Sequence, residues 1–312
     1  MARIRDTSYD KSVVYEPSED SFLLADAVAE EIWSREKRKE SNALRRLDDD
    51  HENDFDDEND EEEEEFVSVE IGVGSGYVLC SHAMRFCEEM KERLQRKQRE
   101  DDSKKTKKKC RRVWRFIGVD VNEKAVEHAK ETMRRHGLRV VGDDVDEEKE
   151  DFDEDDSSIS SRYSIEIFRG DMLEDDRFYR RRINDEKKKT EEVKEEEREK
   201  KPIDVLLFNP PYVVTPSEEI YDPSTKSSSL SSSLTAAWAG GVRGREVVDR
   251  ILYDIKSWLR PNGGTFLVVA YAQNDIEEMM EILSNQDGMR VERAKWTKAD
   301  EESLVVLKAV RL

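Results

Sequence analysis

A doubly wound α/β domain is predicted for this 312-residue chain by three observations. Short, nearly all-apolar strands alternate with helix-length segments, as when both faces of a sheet are covered. The first strand runs directly into a glycine-rich turn and a helix. Glu70, Asp120, Asp171 and Asn209 stand at the carboxyl ends of four strands, where open α/β sheets bind ligands.

Residues 66–71 read as the first strand, followed by the turn Gly72-x-Gly74-x-Gly76 and a helix from about Tyr77 to beyond Met90. Residues 115–119 form the second strand, ending at Asp120. The helix over 123–135 has Asn122 as its cap and Gly137 as its stop. Residues 163–168 are the third strand, and 203–208, the most apolar one, ends directly at Asn209. A helix over 246–259 and the turn Pro261-Asn262-Gly263-Gly264 lead to a strand at 265–270 and a helix at 275–283. Val291 and residues 303–310 belong to two closing strands, an antiparallel hairpin. The charged stretch 180–201 has little apolar material to bury and is at most helical. Residues 227–233, rich in serine, read as a flexible loop.

Composition places charge outside this pattern. Only 36% of residues are hydrophobic and 41% are charged, with a net charge of −21. Two tracts account for that excess: 48–65 carries −14 and 143–156 carries −10, leaving +3 for the rest. One domain over 1–312 is expected, with insertions near 36–65, 91–112, 143–161, 180–200 and 223–233. Such insertions cost little, because loop-closure entropy grows only logarithmically with length. The basic run 104–112 reads as a solvated loop in preference to a nuclear signal. Cys80, Cys87 and Cys110 lack ligand spacing, and no metal site is expected. The first thirty residues contain charges throughout, and no apolar run approaches the roughly 20 residues of a membrane span. A soluble intracellular protein is expected, cytoplasmic, with the nucleus as a second compartment.

The strand ends suit one ligand taken piece by piece. The turn reads G-x-G-x-G, not the dinucleotide G-x-G-x-x-G. Glu70, just before it, could meet an ammonium. Asp120 could accept two ribose hydroxyls. Asp171 could accept from an adenine amino group, with the Met172 backbone N–H donating to a ring nitrogen. Each acid alone also reads as a solvated loop residue or a helix cap. Together they fit S-adenosylmethionine.

Asn209-Pro210-Pro211-Tyr212 then supplies acceptors. Two prolines fix two φ angles and remove two N–H donors, leaving carbonyls free. A planar amino group has two N–H donors and a delocalised lone pair. If the Asn209 side chain and the Pro210 carbonyl each accept one N–H, the nitrogen can turn toward a methyl group. Tyr212 could pack over the flat substrate, or could simply wedge the loop.

In these motifs the chain resembles the eukaryotic and archaeal HemK-like methyltransferases. The matching segments are Val14-Tyr15-Glu16-Pro17-Ser18-Glu19-Asp20-Ser21-Phe22-Leu23-Leu24, 70–76, 209–216 and 236–247. That resemblance implies a class I Rossmann-like fold with sheet order 3-2-1-4-5-7-6. It implies methylation of the glutamine amide in the Gly-Gly-Gln loop of a class I release factor, with S-adenosylhomocysteine as product. It further implies a heterodimer with a small zinc-binding activator, expected to pair along the third strand. Ser21, Glu70, Gly72, Gly74, Gly76, Asp120, Asp171, Met172 and Asn209 would hold the methyl donor. Asn209, Pro210 and Tyr212 would hold the glutamine amide. A histone-type lysine or an adenine N6 in DNA or RNA presents related chemistry, and a non-catalytic scaffold is the third class. Nucleic acid is the weaker reading, for want of a recognition domain or basic cleft.

Overall fold

The computed structural model describes residues 14–33, 63–99, 111–142, 159, 161–181, 198–220, 235, 237–299 and 302–312. Its strands are β1 (Glu63–Ile71), β2 (Arg111–Asp120), β3 (Tyr163–Arg169), β4 (Tyr179–Arg181), β5 (Arg198–Lys200), β6 (Val205–Phe208), β7 (Thr265–Tyr271), β8 (Met289–Ala299) and β9 (Glu302–Arg311). Seven make one sheet in the order β3-β2-β1-β6-β7-β9-β8, while β4 and β5 form a separate antiparallel ladder. Counted along the sheet's own strands, this is the order 3-2-1-4-5-7-6 of the class I methyltransferase fold. Pairing is parallel from β3 to β7 and antiparallel where β9 enters between β7 and β8.

Alternation along the central strands explains the two covered faces. Leu206, Phe208, Phe266 and Val268 pack with Val248, Ile251 and Trp258 on one side. Val205, Leu207, Leu267 and Val269 pack with Leu24, Val28 and Val78 on the other. Toward the β3 edge, that second side continues through Phe86, Ala129, Phe116 and Ile165. The helices are α1 (Glu19–Val28), α2 (Tyr77–Arg99), α3 (Glu123–Arg135), α4 (Glu246–Leu252), α5 (Ile255–Trp258) and α6 (Ile276–Ser284). Asn122 caps α3 by accepting the Lys124 N–H at 3.0 Å, and Gly137 leaves it at φ +69°.

Several expectations need correction. The helix expected over 246–259 is two short ones, because Gln286 takes the backbone pair that would carry it through: its amide donates to the Leu252 carbonyl at 2.7 Å and accepts the Lys256 N–H at 3.0 Å, and after α5 the chain runs beside Ile203. There Leu259 forms a parallel bridge with Ile203, whose N–H donates to the Trp258 carbonyl at 2.9 Å. The flanks of the 180–201 stretch are strands and not helix, since β4 and β5 find each other as partners. The insertions near 36–65 and 91–112 give up their ends to the core: β1 starts at Glu63, α2 continues to Arg99 and β2 starts at Arg111. Glu63 and Glu64 stand in backbone register with Arg111 and Arg112. The rest of the 104–112 run, most of the two acidic tracts and residues 227–233 lie outside the described residues.

The β3 edge, where the activator is expected, offers little apolar surface. Ile165 and Ile167 are buried by the chain itself, and Arg177 sits 3.2 Å from the centroid of the Phe168 ring. The Ile165 carbonyl accepts from Val141 N–H at 2.8 Å, so part of that edge is already paired. Cys80 is a buried thiol pushed up to about 12 by desolvation, while Cys87 is half-buried; Cys110 lies outside the described residues. Among the described residues no helix is long and apolar enough to cross a membrane, and none of their acid, His and Cys groupings could hold a metal ion.

Candidate active site

A cavity of about 810 Å³ opens at the carboxyl ends of β1, β2, β3 and β6. It lies over the β1–β6 junction, where the strand order reverses, the usual binding crevice of an open α/β sheet. Register explains how distant residues meet there. Ile71 pairs with Phe208, so the glycine turn after β1 and Asn209 after β6 leave the sheet side by side. Ile71 also pairs with Val119, which brings Asp120 beside the same turn.

Ser21, Glu70, Gly72, Gly74, Asp120, Asp171, Met172 and Asn209 all line this cavity. Gly76, Pro210 and Tyr212 are not on its wall, although Pro211 is. Gly76 has a packing reason for being glycine: at φ +78°, a Cβ would come 2.8 Å from Ala129 Cα, so the turn could not rest on α3. Tyr212 is half-buried, with its ring 6.2 Å from Tyr271 and its phenol donating to Asp20 at 3.0 Å.

The lining acids fall into two kinds. Glu70 is 2% exposed, and its Oε2 is buried without a hydrogen-bond partner among the described residues; Asn209 is half-buried, and its Oδ1 is likewise buried and without a partner there. Desolvation raises the Glu70 carboxyl well above the ordinary range, opposed by a Leu79 backbone hydrogen bond and reinforced by the Asp120 charge. Leaving such an acceptor unsatisfied costs about 1–3 kcal/mol, so both oxygens call for a donor from outside the described residues. A cation beside Glu70 would relieve the largest penalty.

Asp120 and Asp171 are already engaged. Asp120 accepts the Gly74 N–H at 2.9 Å and the Asn122 N–H at 2.8 Å, which ties the glycine turn to β2. Burial raises its carboxyl too, against those same hydrogen bonds. Asp171 accepts from Leu173 N–H at 3.1 Å and from the Arg250 guanidinium at 2.7 Å. Carboxylate oxygens retain lone pairs in such contacts, so a ligand's hydroxyl or amino group can share them.

A second set of residues holds the Asn209 loop. Val213 N–H donates to the Trp238 carbonyl at 3.0 Å and Gly240 N–H to the Val213 carbonyl at 2.8 Å. The 209–216 and 237–247 segments, separate in sequence, thus form one unit. Gly244 must be glycine, because a Cβ there would lie 2.0 Å from the Tyr212 carbonyl oxygen. Asn274, 1% exposed, donates from Nδ2 to the carbonyls of Tyr212 at 2.8 Å and Arg243 at 2.9 Å, and accepts from Tyr271 N–H at 2.7 Å. Neither Asn274 nor Asp20 stands out as a site residue in the sequence. Asn274 sits in no motif, and Asp20 was hidden inside one, beside Ser21.

Comparison with known proteins adds the family context. No protein-family profile matches the chain. Over 106 residues, 34% of this chain and 44% of the relative, it is 40% identical to human Methyltransferase HEMK2. This chain is similar to the HEMK2-type methyltransferases. Over 110 residues, 35% of this chain and 44% of the relative, it is 37% identical to the eRF1 methyltransferase catalytic subunit mtq2 of Schizosaccharomyces pombe. The match therefore spans less than half the length of either relative. Among solved structures, the E. cuniculi Mtq2–Trm112 complex, responsible for methylating the eRF1 translation termination factor, aligns with 96% of this chain and 99% of its own. The identity there is 18% and the TM-score 0.40.

Proposed function

We propose that this chain is an S-adenosylmethionine-dependent N-methyltransferase acting on the glutamine amide of a Gly-Gly-Gln loop in a class I release factor. The observation carrying this reading is that Glu70 and Asn209 both line the cavity and each holds a buried side-chain oxygen, Oε2 and Oδ1, with no hydrogen-bond partner among the described residues. The donor, when bound, supplies a methyl group on a sulfonium centre. Glu70 meets its ammonium, Asp120 its ribose hydroxyls, and Asp171 with the Met172 backbone its adenine; Ser21 and the glycine turn complete the wall. Asn209 Oδ1 accepts one N–H of the substrate amide, and the Pro210 carbonyl takes the second. With both N–H bonds held, the amide nitrogen presents its lone pair, and acceptors that strengthen as nitrogen gains positive character lower the barrier. As the new N–C bond forms, the methyl–sulfur bond would break and the donor would leave as S-adenosylhomocysteine; the nitrogen's proton, acidic by then, passes to water, so no strong base is needed beforehand.

A small zinc-binding activator joins at the outer edge of β3 by adding a strand, next to the Asp171 loop. Ile165 and Ile167 are buried and Val141 already holds the Ile165 carbonyl, so the attraction there is backbone pairing along the rest of the strand, not apolar cover. The enzyme works in the cytoplasm, with the nucleus as a second compartment. Mass spectrometry of a release factor incubated with chain and donor, with and without activator, tests the reading. The expected outcome is one methyl on the loop glutamine, increased by activator. Methyl found instead on lysine, or on adenine in nucleic acid, would overturn the substrate assignment.

A further inference from the structure

We infer that Asp20 is a positioning residue that couples the donor cavity to the substrate-holding loop through Tyr212. The inference rests on the methyl-transfer reading of the cavity. Asp20 is 3% exposed on the first turn of α1. Its Oδ1 accepts Ser21 N–H at 2.6 Å, Ser18 O–H at 2.7 Å and Ser21 O–H at 3.2 Å. Its Oδ2 accepts the Tyr212 phenol at 3.0 Å, across 192 positions of sequence. One carboxylate therefore grips a cavity-lining residue with one oxygen and the loop after Asn209 with the other. Hydrogen bonds to a charged acceptor are stronger than neutral ones and hold geometry tightly.

Tyr212 is gripped at both ends. Its carbonyl is held by Asn274 at 2.8 Å and its phenol by Asp20. The first contact anchors the loop at one point, the Tyr212 carbonyl, and survives loss of the phenol's bond. The second makes the loop's position depend on where α1 sits against the cavity. Ligand that orders Ser21 on the wall thereby orders Tyr212, and with it Asn209 three residues earlier. That arrangement gives the phenol a task although the ring lies off the cavity wall.

Hydrogen exchange of the full chain, with and without S-adenosylhomocysteine, tests the coupling without needing the protein substrate. Removing one hydroxyl in Tyr212→Phe leaves the Asn274 contact in place, so the fold should survive. In the wild type, the ligand should slow exchange of amides in residues 212–217 by about tenfold, the scale of one charge-assisted hydrogen bond. In Tyr212→Phe that protection should shrink to about threefold or less, with ligand affinity within about twofold. Asp20→Ala should lose it equally, and Asp20→Asn should restore part of it, since an amide can still accept from Ser21 and donate to the phenol. In turnover, Asp20→Ala/Tyr212→Phe should be no slower than Asp20→Ala alone, with the loss in kcat and not in KM for the donor. Equal protection in wild type and Tyr212→Phe, or no ligand-induced protection in the wild type, would overturn the coupling. Protection without any glutamine methylation would instead leave the coupling standing and remove the substrate assignment.

Discussion

Two parts of the cavity wall carry the same kind of atom in opposite conditions. At the β1–β6 junction, Glu70 and Asn209 hold buried oxygens that nothing among the described residues satisfies. On the β2–β3 side, Asp120 and Asp171 hold their own protein: the first the glycine turn and α3's approach, the second Arg250. The difference separates stability from function. An oxygen kept unsatisfied costs the ligand-free fold, so replacing it should spare or improve stability while removing activity. A carboxylate used by the fold should lose both together.

The largest effect should come from Asn209→Ala. Transfer should fall by about 100- to 1,000-fold, the scale of removing one transition-state hydrogen bond, with the melting temperature unchanged or raised. Turnover within threefold of wild type would remove Asn209 from the substrate-orienting role. Asp120→Ala should do two things at once. Donor affinity should drop by about tenfold, and the N–H groups of Gly74 and Asn122 should cost about 1–3 kcal/mol once unpaired. Calorimetric titration beside a melting curve measures both, and a loss of one without the other breaks the contrast. Arg250→Ala should matter least. Its ion pair with Asp171 is partly exposed and worth about 0–1 kcal/mol, so donor affinity should move by about threefold at most. A loss above about tenfold would place Arg250 among the donor's own contacts.

The strand tips themselves were legible before the structure. The strand tips could be found because apolar runs end abruptly at Glu70, Asp120 and Asn209, and α/β sheets place ligands at such ends. Which tips were free was not legible, because it depends on partners from other strands and turns: Gly74 reaching Asp120, Arg250 reaching Asp171. Asp20 and Asn274 were hidden for the same reason, since their partners lie 192 and 62 positions away. α1 also has no counterpart in the sequence expectation. Its ten residues bury Leu23, Leu24, Ala27 and Val28 while leaving Phe22 exposed, too short a pattern for periodicity to reveal. Charge misled at the insertion borders: Glu63 to Glu65 read as part of a solvated tract, yet pairing with β2 draws them into β1.

Glu70→Gln, titrated with S-adenosylhomocysteine beside a melting curve taken across pH, tests the central claim most directly. The folded-state pKa of Glu70 is raised by burial, so its proton stabilises the ligand-free fold at low pH. That contribution is lost as pH rises through the raised value. The glutamine variant, neutral throughout, should melt higher than wild type at neutral pH and show a flatter pH dependence. It should also bind the ligand about 10- to 100-fold more weakly, because a charge-assisted contact to the ammonium is lost. Unchanged affinity, or a variant less stable than wild type at neutral pH, would show that Glu70 serves the fold and not the methyl donor.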